Sequence, residues 1–165
     1  MLHGGSVCHT REEVERETSR LGGHAMVEEF LPGREFAVSL WGAKTPDHHS
    51  IGEIVYEGGL QLMTYAAQWD VESADFANSP FTYRPDLSDD LRDNILRAAK
   101  GAWAAVEARG YMRVDVRLDV TGQPRVIDVN PNAELGPGVG ICYAVGEAGW
   151  TYETFMRKLA EWALE

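Results

Sequence analysis

Arg113–Asn132, RVDVRLDVTGQPRVIDVNPN, is the stretch whose reading decides the fold. Val114, Val116 and Leu118 alternate with polar residues, and alternation resumes after Thr121-Gly122. A period of two is the mark of a half-buried strand, and Thr-Gly is turn chemistry, so the stretch predicts a β-hairpin. A two-residue loop at Thr121-Gly122 sets Asp115 opposite Asp128 and Arg113 opposite Asn130. Alternation puts Arg113, Asp115, Arg117 and Asp119 on one face with Asp128 and Asn130, and sends Val114, Val116, Leu118, Ile127 and Val129 inward. Like charges directly opposite on paired strands are destabilising, so the Asp115–Asp128 pair needs a reason. One reason is a divalent cation: Mg²⁺ takes hard oxygen ligands, typically one or two carboxylates completed by phosphate oxygens and waters. The other is simple neutralisation, with Arg113 and Arg117 answering the acids as ordinary cross-strand pairs. Spacing alone leaves both open.

Outward from the hairpin, strands and helices alternate. Thr10 and Glu13 form a capping box that opens a helix ending near Gly22-Gly23. Ala25 to Gly42 reads as two strands about a Leu31-Pro32-Gly33 turn, with Phe36, Val38 and Leu40 inward. Ile51–Tyr56 is a further strand. Residues 57–86 lack periodicity, and a loop of that length in a compact domain is usually functional or mobile. Ser88 caps a helix with Asp89 and Asp90 in its first turn, an apolar stripe through Leu91, Ile95, Ala98, Ala102, Trp103 and Val106, and a stop at Gly110. A Gly- and Pro-rich loop follows the hairpin, and a last helix from about Thr151 carries Phe155, Leu159 and Trp162 on one side. Strands in antiparallel hairpins interspersed with helices give an α+β class with a largely antiparallel sheet packed by helices. Residues 1–165 are expected to form one domain, or a lobe of a larger one.

Composition narrows the partners. Among 165 residues, 26 acids face 15 bases for a net charge of −11, which argues against non-specific nucleic-acid binding and against an anionic membrane surface. No apolar run reaches the length of a membrane span, and Met1–Gly5 does not read as a secretory start. Cys8 and Cys142 read as reduced thiols of a cytoplasmic protein, without zinc-site spacing. Asp47-His48-His49 reads as a solvated turn, because neighbours on a strand point to opposite faces.

Several separated motifs, in order along nearly the whole chain, resemble the D-alanine–D-alanine ligase branch of the ATP-grasp ligases: VEEFLPGREF, RVDVRLD, VIDVNPN and AVGEAGWTYETF. The resemblance implies an ATP-grasp C-terminal lobe of an ATP-dependent carboxylate–amine ligase, in which a carboxylate is phosphorylated and an amine attacks the acyl phosphate. It implies ATP with Mg²⁺, or Mn²⁺ in its place. Asp115, Asp128 and Asn130 resemble the metal ligands, with Asp in place of the more frequent Glu at 128. Arg113 resembles the catalytic arginine that stabilises the transferring phosphoryl group. Glu28, Glu29, Phe30 and Leu31 resemble the adenine-binding linker, Glu35 the ribose carboxylate, and Ile127 a residue beneath the base. HGGSVCH, with Ser6, resembles the tail of the glycine-rich phosphate loop, at which the chain would begin.

The departures bear on the substrate. The two phosphate-binding lysines that the family places upstream of the glycine-rich loop have no counterpart in these residues, and Gln68 in TYAAQW stands where a third lysine is usual. Glutamine carries no charge to offer a carboxylate or phosphate. Ala133 and Glu134 follow the NPN, and Gly138-Val139-Gly140 occupies the place where D-Ala ligases present a hydroxyl. These changes favour small-molecule carboxylate and amine substrates, such as an amino acid or peptide precursor, other than D-Ala-D-Ala. The alternative is a non-catalytic nucleotide- or Mg-binding half-domain, a pseudo-enzyme. A half-fold implies a partner lobe in cis or trans, with Trp41, Trp69 and residues 139–145 at the seam, or a homodimer that covers the same apolar surface.

Overall fold

The computed structural model describes residues 6–58, 61–138 and 140–165. The expected phosphate-loop residues His3, Gly4 and Gly5, and Val139, lie outside the described residues. Backbone contacts divide the chain into two compact units, Met1–Pro32 with Val55–Pro80 and Gly33–Ile54 with Phe81–Glu165.

The first unit holds three helices: α1 (Arg11–Arg20), α2 (Tyr65–Trp69) and α3 (Ala74–Ala77). The capping box forms as expected: the Glu13 amide donates to Thr10 Oγ1 at 3.2 Å, and the Thr10 amide donates to Glu13 Oε2 at 3.2 Å. The segment expected to be irregular carries two short capped helices. Thr64 Oγ1 accepts from the Ala67 amide and donates to Asp75 at 2.6 Å, tying the cap of α2 to α3. The strand expected over Ala25–Phe30 does not form. No ladder among the described residues includes it, and Met26 is 81% exposed. A strand without a partner leaves its backbone groups to water and gains nothing from extension.

The second unit is a five-stranded antiparallel sheet in the order β3-β2-β1-β4-β5. The strands are β1 (Glu35–Gly42), β2 (His48–Ile54), β3 (Phe81–Thr82), β4 (Gly110–Leu118) and β5 (Pro124–Asn130). Helix α4 (Asp89–Ala105) lies between β3 and β4 in sequence, and α5 (Gly140–Glu147) and α6 (Tyr152–Trp162) follow the sheet. Alternation gives the sheet two unlike faces. Phe36, Val38, Leu40, Met112, Val114 and Val116 point to one face, all fully buried, and pack with Ile95, Ala99 and Trp103 of α4. Ser88 caps α4 as expected, but its end falls earlier than Gly110. Glu107 adopts φ 52°, and the amides of Glu107 and Ala108 donate back to Ala104 and Trp103. This is a Schellman ending built on a residue other than glycine, so no glycine signalled it.

The opposite face is apolar only at one end. There Trp41, Tyr111 and His48 are covered by a second core of Ile141, Cys142, Val145, Phe155 and Trp150. Trp41 is therefore a core residue. His48 stacks on Trp41 at 5.8 Å between ring centroids, so Asp47-His48-His49 runs into a strand instead of a solvated turn. Helix α5 has no counterpart in the sequence expectation, which had taken residues 139–145 as an apolar seam.

The deciding hairpin forms with a different turn. The amide of Asp119 donates to Gln123 O at 2.9 Å, which leaves a three-residue loop, Val120–Gly122, with Gly122 at φ 78°. Near the loop the register is consequently one residue off: Val116 pairs with Val126 and Arg117 with Arg125. An irregularity then leaves Ile127 without a ladder partner, and beyond it Asp115 pairs with Asp128 and Arg113 with Asn130. Loop and bulge cancel, so the acids meet as expected by a different route. Ile127 does not turn inward; it is exposed on the bulged edge strand, while Val129 packs against the core.

Candidate functional site

The polar end of the second face is built in rows across β1, β4 and β5. Ser39, Arg113 and Asn130 form one row; Ala37, Asp115 and Asp128 the next; Glu35, Arg117 and Arg125 the third. Paired residues share a face, so these side chains rise together from one rigid surface.

Arg113 forks onto Asp115, with Nε to Oδ1 and Nη2 to Oδ2 both at 2.8 Å. Burial holds the Asp115 carboxyl above its ordinary range; the guanidinium pulls the other way, and the Asp128 charge adds to the rise. The Asp128 carboxylate is exposed. Asn130 Oδ1 accepts from the Asn132 amide at 3.0 Å, and Tyr111 donates its hydroxyl to Asn132 Oδ1 at 3.3 Å, so the strand end and the following loop are held together.

In the third row Arg117 donates Nη1 to Glu35 Oε2 at 3.0 Å and Nε to Gly33 O at 3.2 Å. Both side chains of this pair are almost fully buried. Glu35 is thus an interior acid. Gly33 has to be glycine here: its amide donates to Leu118 O at 3.0 Å, and a Cβ would come within 2.5 Å of that oxygen. Sequence reading placed Arg117 on this face but not its partner, because Glu35 is reached only through the β1–β4 register, which neither hairpin pattern specifies. The Arg113–Asp115 fork was legible in outline as charge neutralisation, though it runs along one strand.

Arg113, Asp115, Asp128, Asn130 and Glu35 therefore stand on one face of the second unit, with Ile127 on its edge strand. Ser6, Glu28, Glu29, Phe30 and Leu31 belong to the first unit. There Glu28, Glu29 and Phe30 are exposed, Leu31 is half-buried, and the backbone from Glu28 to Leu31 is irregular. Ser6 O accepts weakly from Cys8 Sγ at 3.9 Å.

The donor set fits a hard divalent cation in chemistry: two carboxylates on facing strands and a carboxamide one row away. Asp115 could ligate it as the Arg113 fork opens. Among the described residues no group of three or more His, Cys, Asp or Glu is placed to hold a metal ion, so the donors here are the two carboxylates and the carboxamide alone.

Comparison with known proteins shows the family and the fold. Residues 4–161 match the family model described as D-ala D-ala ligase C-terminus. The chain is 26% identical over 165 residues to a D-alanine–D-alanine ligase of Bacillus velezensis, covering 98% of this chain and 45% of that one. Its fold superposes on a D-alanine–D-alanine ligase from Bacillus anthracis complexed with ATP with a TM-score of 0.72 at 17% identity, over 94% of this chain and 47% of that one. It also superposes on an L-amino acid ligase from Bacillus licheniformis with a TM-score of 0.65 at 23% identity, over 92% and 36% respectively. The chain spans less than half the length of the curated relatives it matches. It belongs to the D-Ala–D-Ala ligase C-terminal family, and its fold is the C-terminal lobe of the ATP-grasp ligases.

Proposed function

We propose that residues 1–165 act as one partial ATP-grasp domain, the lobe of an ATP- and Mg²⁺-dependent enzyme that joins a carboxylate to an amine. The observation that carries this reading is the direct pairing of Asp115 with Asp128, with Arg113 and Asn130 one row away on the same face. The γ-phosphoryl group of ATP passes to the substrate carboxylate, giving an acyl phosphate and ADP. The amine nitrogen then attacks the acyl carbon, phosphate leaves, and the nitrogen gives up a proton to form the amide. Arg113 meets the charge that grows on the phosphoryl oxygens and on the tetrahedral oxygen, a task of positioning and neutralisation. Asp115, Asp128 and Asn130 hold the Mg²⁺, which when bound neutralises phosphate charge; Mn²⁺ offers the same chemistry. The family resemblance assigns Glu28, Glu29, Phe30 and Leu31 of the first unit to the adenine and Ser6 to the phosphates, and in the second unit it assigns Ile127 to the adenine and Glu35 to the ribose. For Glu35 this means accepting the ribose hydroxyls while still paired with Arg117.

The joined substrates are an amino acid or peptide precursor other than two D-alanines, a reading supported by Gln68 in place of a lysine and by the altered loop after Asn132. A second lobe, in cis or in trans, supplies the remaining phosphate contacts; the chain's coverage of under half of its relatives supports this. No helix among the described residues is long and apolar enough to cross a membrane. A chain of this size with only two cysteines, Cys8 and Cys142, and no disulfide between them supports a cytoplasmic enzyme.

A second reading, a nucleotide-binding half-domain without chemistry, is favoured by the same Gln68 and by the Arg113 fork that already neutralises Asp115. Calorimetric titration of Mg·ATP into the intact protein and into its Asp128→Asn variant tests the site. Mg²⁺-dependent heat that disappears in the variant supports it, and heat that persists unchanged removes Asp128 from the metal set. Phosphate release on adding amino acids separates the ligase from the silent module.

A further inference from the structure

Across the sheet from the acids lies an aromatic surface with no role in the chemistry above. Gly52 of β2 pairs with Ala37 of β1, and Ala37 pairs with Asp115. Gly52 and Ala37 thus continue the Asp115–Asp128 row on the same face with almost no side chain. The Phe81 ring lies on Gly52: a Cβ there would meet the ring at 2.1 Å, which explains the glycine. Phe81 leads edge-to-face to Tyr83, at 4.6 Å between centroids, and Tyr83 stacks on Tyr143 of α5 at 3.8 Å. A second tie fixes this wall, since Arg84 forks onto Glu147, one turn beyond Tyr143, at 2.6 and 2.9 Å. Gly140, one turn before Tyr143 on α5, has no side chain to cover the ring, and a Cβ there would approach nothing nearer than 3.7 Å. Phe81 is 42% and Tyr143 38% exposed, although rings of this size gain by being covered.

Adjacent strands are roughly 4.8 Å apart, so the strand of Gly52 stands about 10 Å from that of Asp115. An amino acid whose carboxyl is held at the acids and whose ring stacks at contact distance on the wall fills that span, across a floor kept low by Ala37. We propose that Phe81, Tyr83 and Tyr143 form the side-chain subsite of the substrate, and that the substrate seated there is an aromatic amino acid. This rests on the ligase reading, which it deepens: a methyl group would leave the wall uncovered, while an aromatic ring can stack on it.

The test is phosphate release by the intact protein with ATP, Mg²⁺ and phenylalanine, tyrosine, leucine or alanine, each in L and D form, beside Mg·ATP calorimetry. The wild-type protein is expected to use an aromatic amino acid with a kcat/KM at least tenfold above alanine. Tyr143→Ala is expected to cut that ratio about tenfold, as the loss of one aromatic contact would, while Tyr143→Phe retains it. Mg·ATP binding by each variant reports that the fold is intact. If Mg·ATP binds but alanine or leucine is used as well as the aromatic substrates, the subsite is wrong and the ligase reading stands. A wild-type preference for aromatics that survives Tyr143→Ala also overturns it. If the intact protein binds no Mg·ATP, the ligase reading fails and the subsite with it.

Discussion

The two faces of the one sheet differ sharply in what their residues do. Phe36, Val38, Leu40 and their neighbours on β4 are sealed beneath α4, and any apolar set of the right volume would serve there. The other face carries Glu35, Arg113, Asp115, Arg117, Asp128 and Asn130 within three rows, where charge and register, not volume, decide fitness. The lesson is that alternation on a strand lets a single segment serve both purposes: each residue of β4 belongs to one task, and its neighbour to the other.

That division can be broken from the core side first. Trp103 is buried against the sheet and donates its indole N–H to Lys44 O at 3.1 Å. Trp103→Ala should cost about 3–5 kcal/mol of stability by chemical denaturation. A cost below about 1 kcal/mol would mean that α4 is not the keystone of that face. The charged face has one pair, Glu35 and Arg117, that is buried like core. Glu35→Ala removes the carboxylate from a buried guanidinium and should cost about 3 kcal/mol, while joint replacement of Glu35 and Arg117 by Leu and Met should recover most of it. If the double variant is no more stable than the single, the pair is more than a buried neutralisation. Asp128→Asn should do the reverse of Trp103→Ala. It relieves the repulsion on Asp115 and should leave stability within about 0.5 kcal/mol or raise it, while Mg²⁺-dependent nucleotide binding is lost.

The smallest effect concerns the turn. Thr121 donates its hydroxyl and amide to Asp119, joined by the Gln123 amide and the Arg125 guanidinium, and these bonds hold the Asp119 carboxyl far below its usual range. A depressed acid contributes stability that is present above its unfolded value and lost as pH falls through its folded one. Asp119 should therefore stay ionised through mild acid, and NMR titration should show its carboxyl shift moving only in strong acid. Movement in the ordinary carboxylate range would mean that these bonds do not persist in solution.

The sequence made the face assignment of β4 legible because a period of two depends on nothing distant. It made the acid pairing legible only because two local errors cancelled, a loop one residue longer than expected and a bulge at Ile127. What escaped was whatever depends on a partner elsewhere in the chain. Ala25–Phe30 reads as a strand ahead of the Leu31-Pro32-Gly33 turn yet finds no neighbour, Glu35 meets Arg117 across a register that no turn dictates, and α4 stops at Glu107 without glycine. Helix α5 was hidden because its inward residues, Ile141, Cys142, Ala144 and Val145, sit in a short apolar run between glycines that shows little contrast.

The bulge at Ile127 has a consequence for self-association. β5 is an outer strand of the sheet, and a long flat outer strand is a template on which a second copy can add its own backbone. Ile127 interrupts the row of donors and acceptors on that border, Pro124 removes one donor near its start, and the exposed Arg125 and Asp128 flank the break. The opposite border, β3, is only two residues long. Neither border offers the run of free backbone from which a stack of copies could grow, so at high concentration this sheet should resist edge-to-edge aggregation.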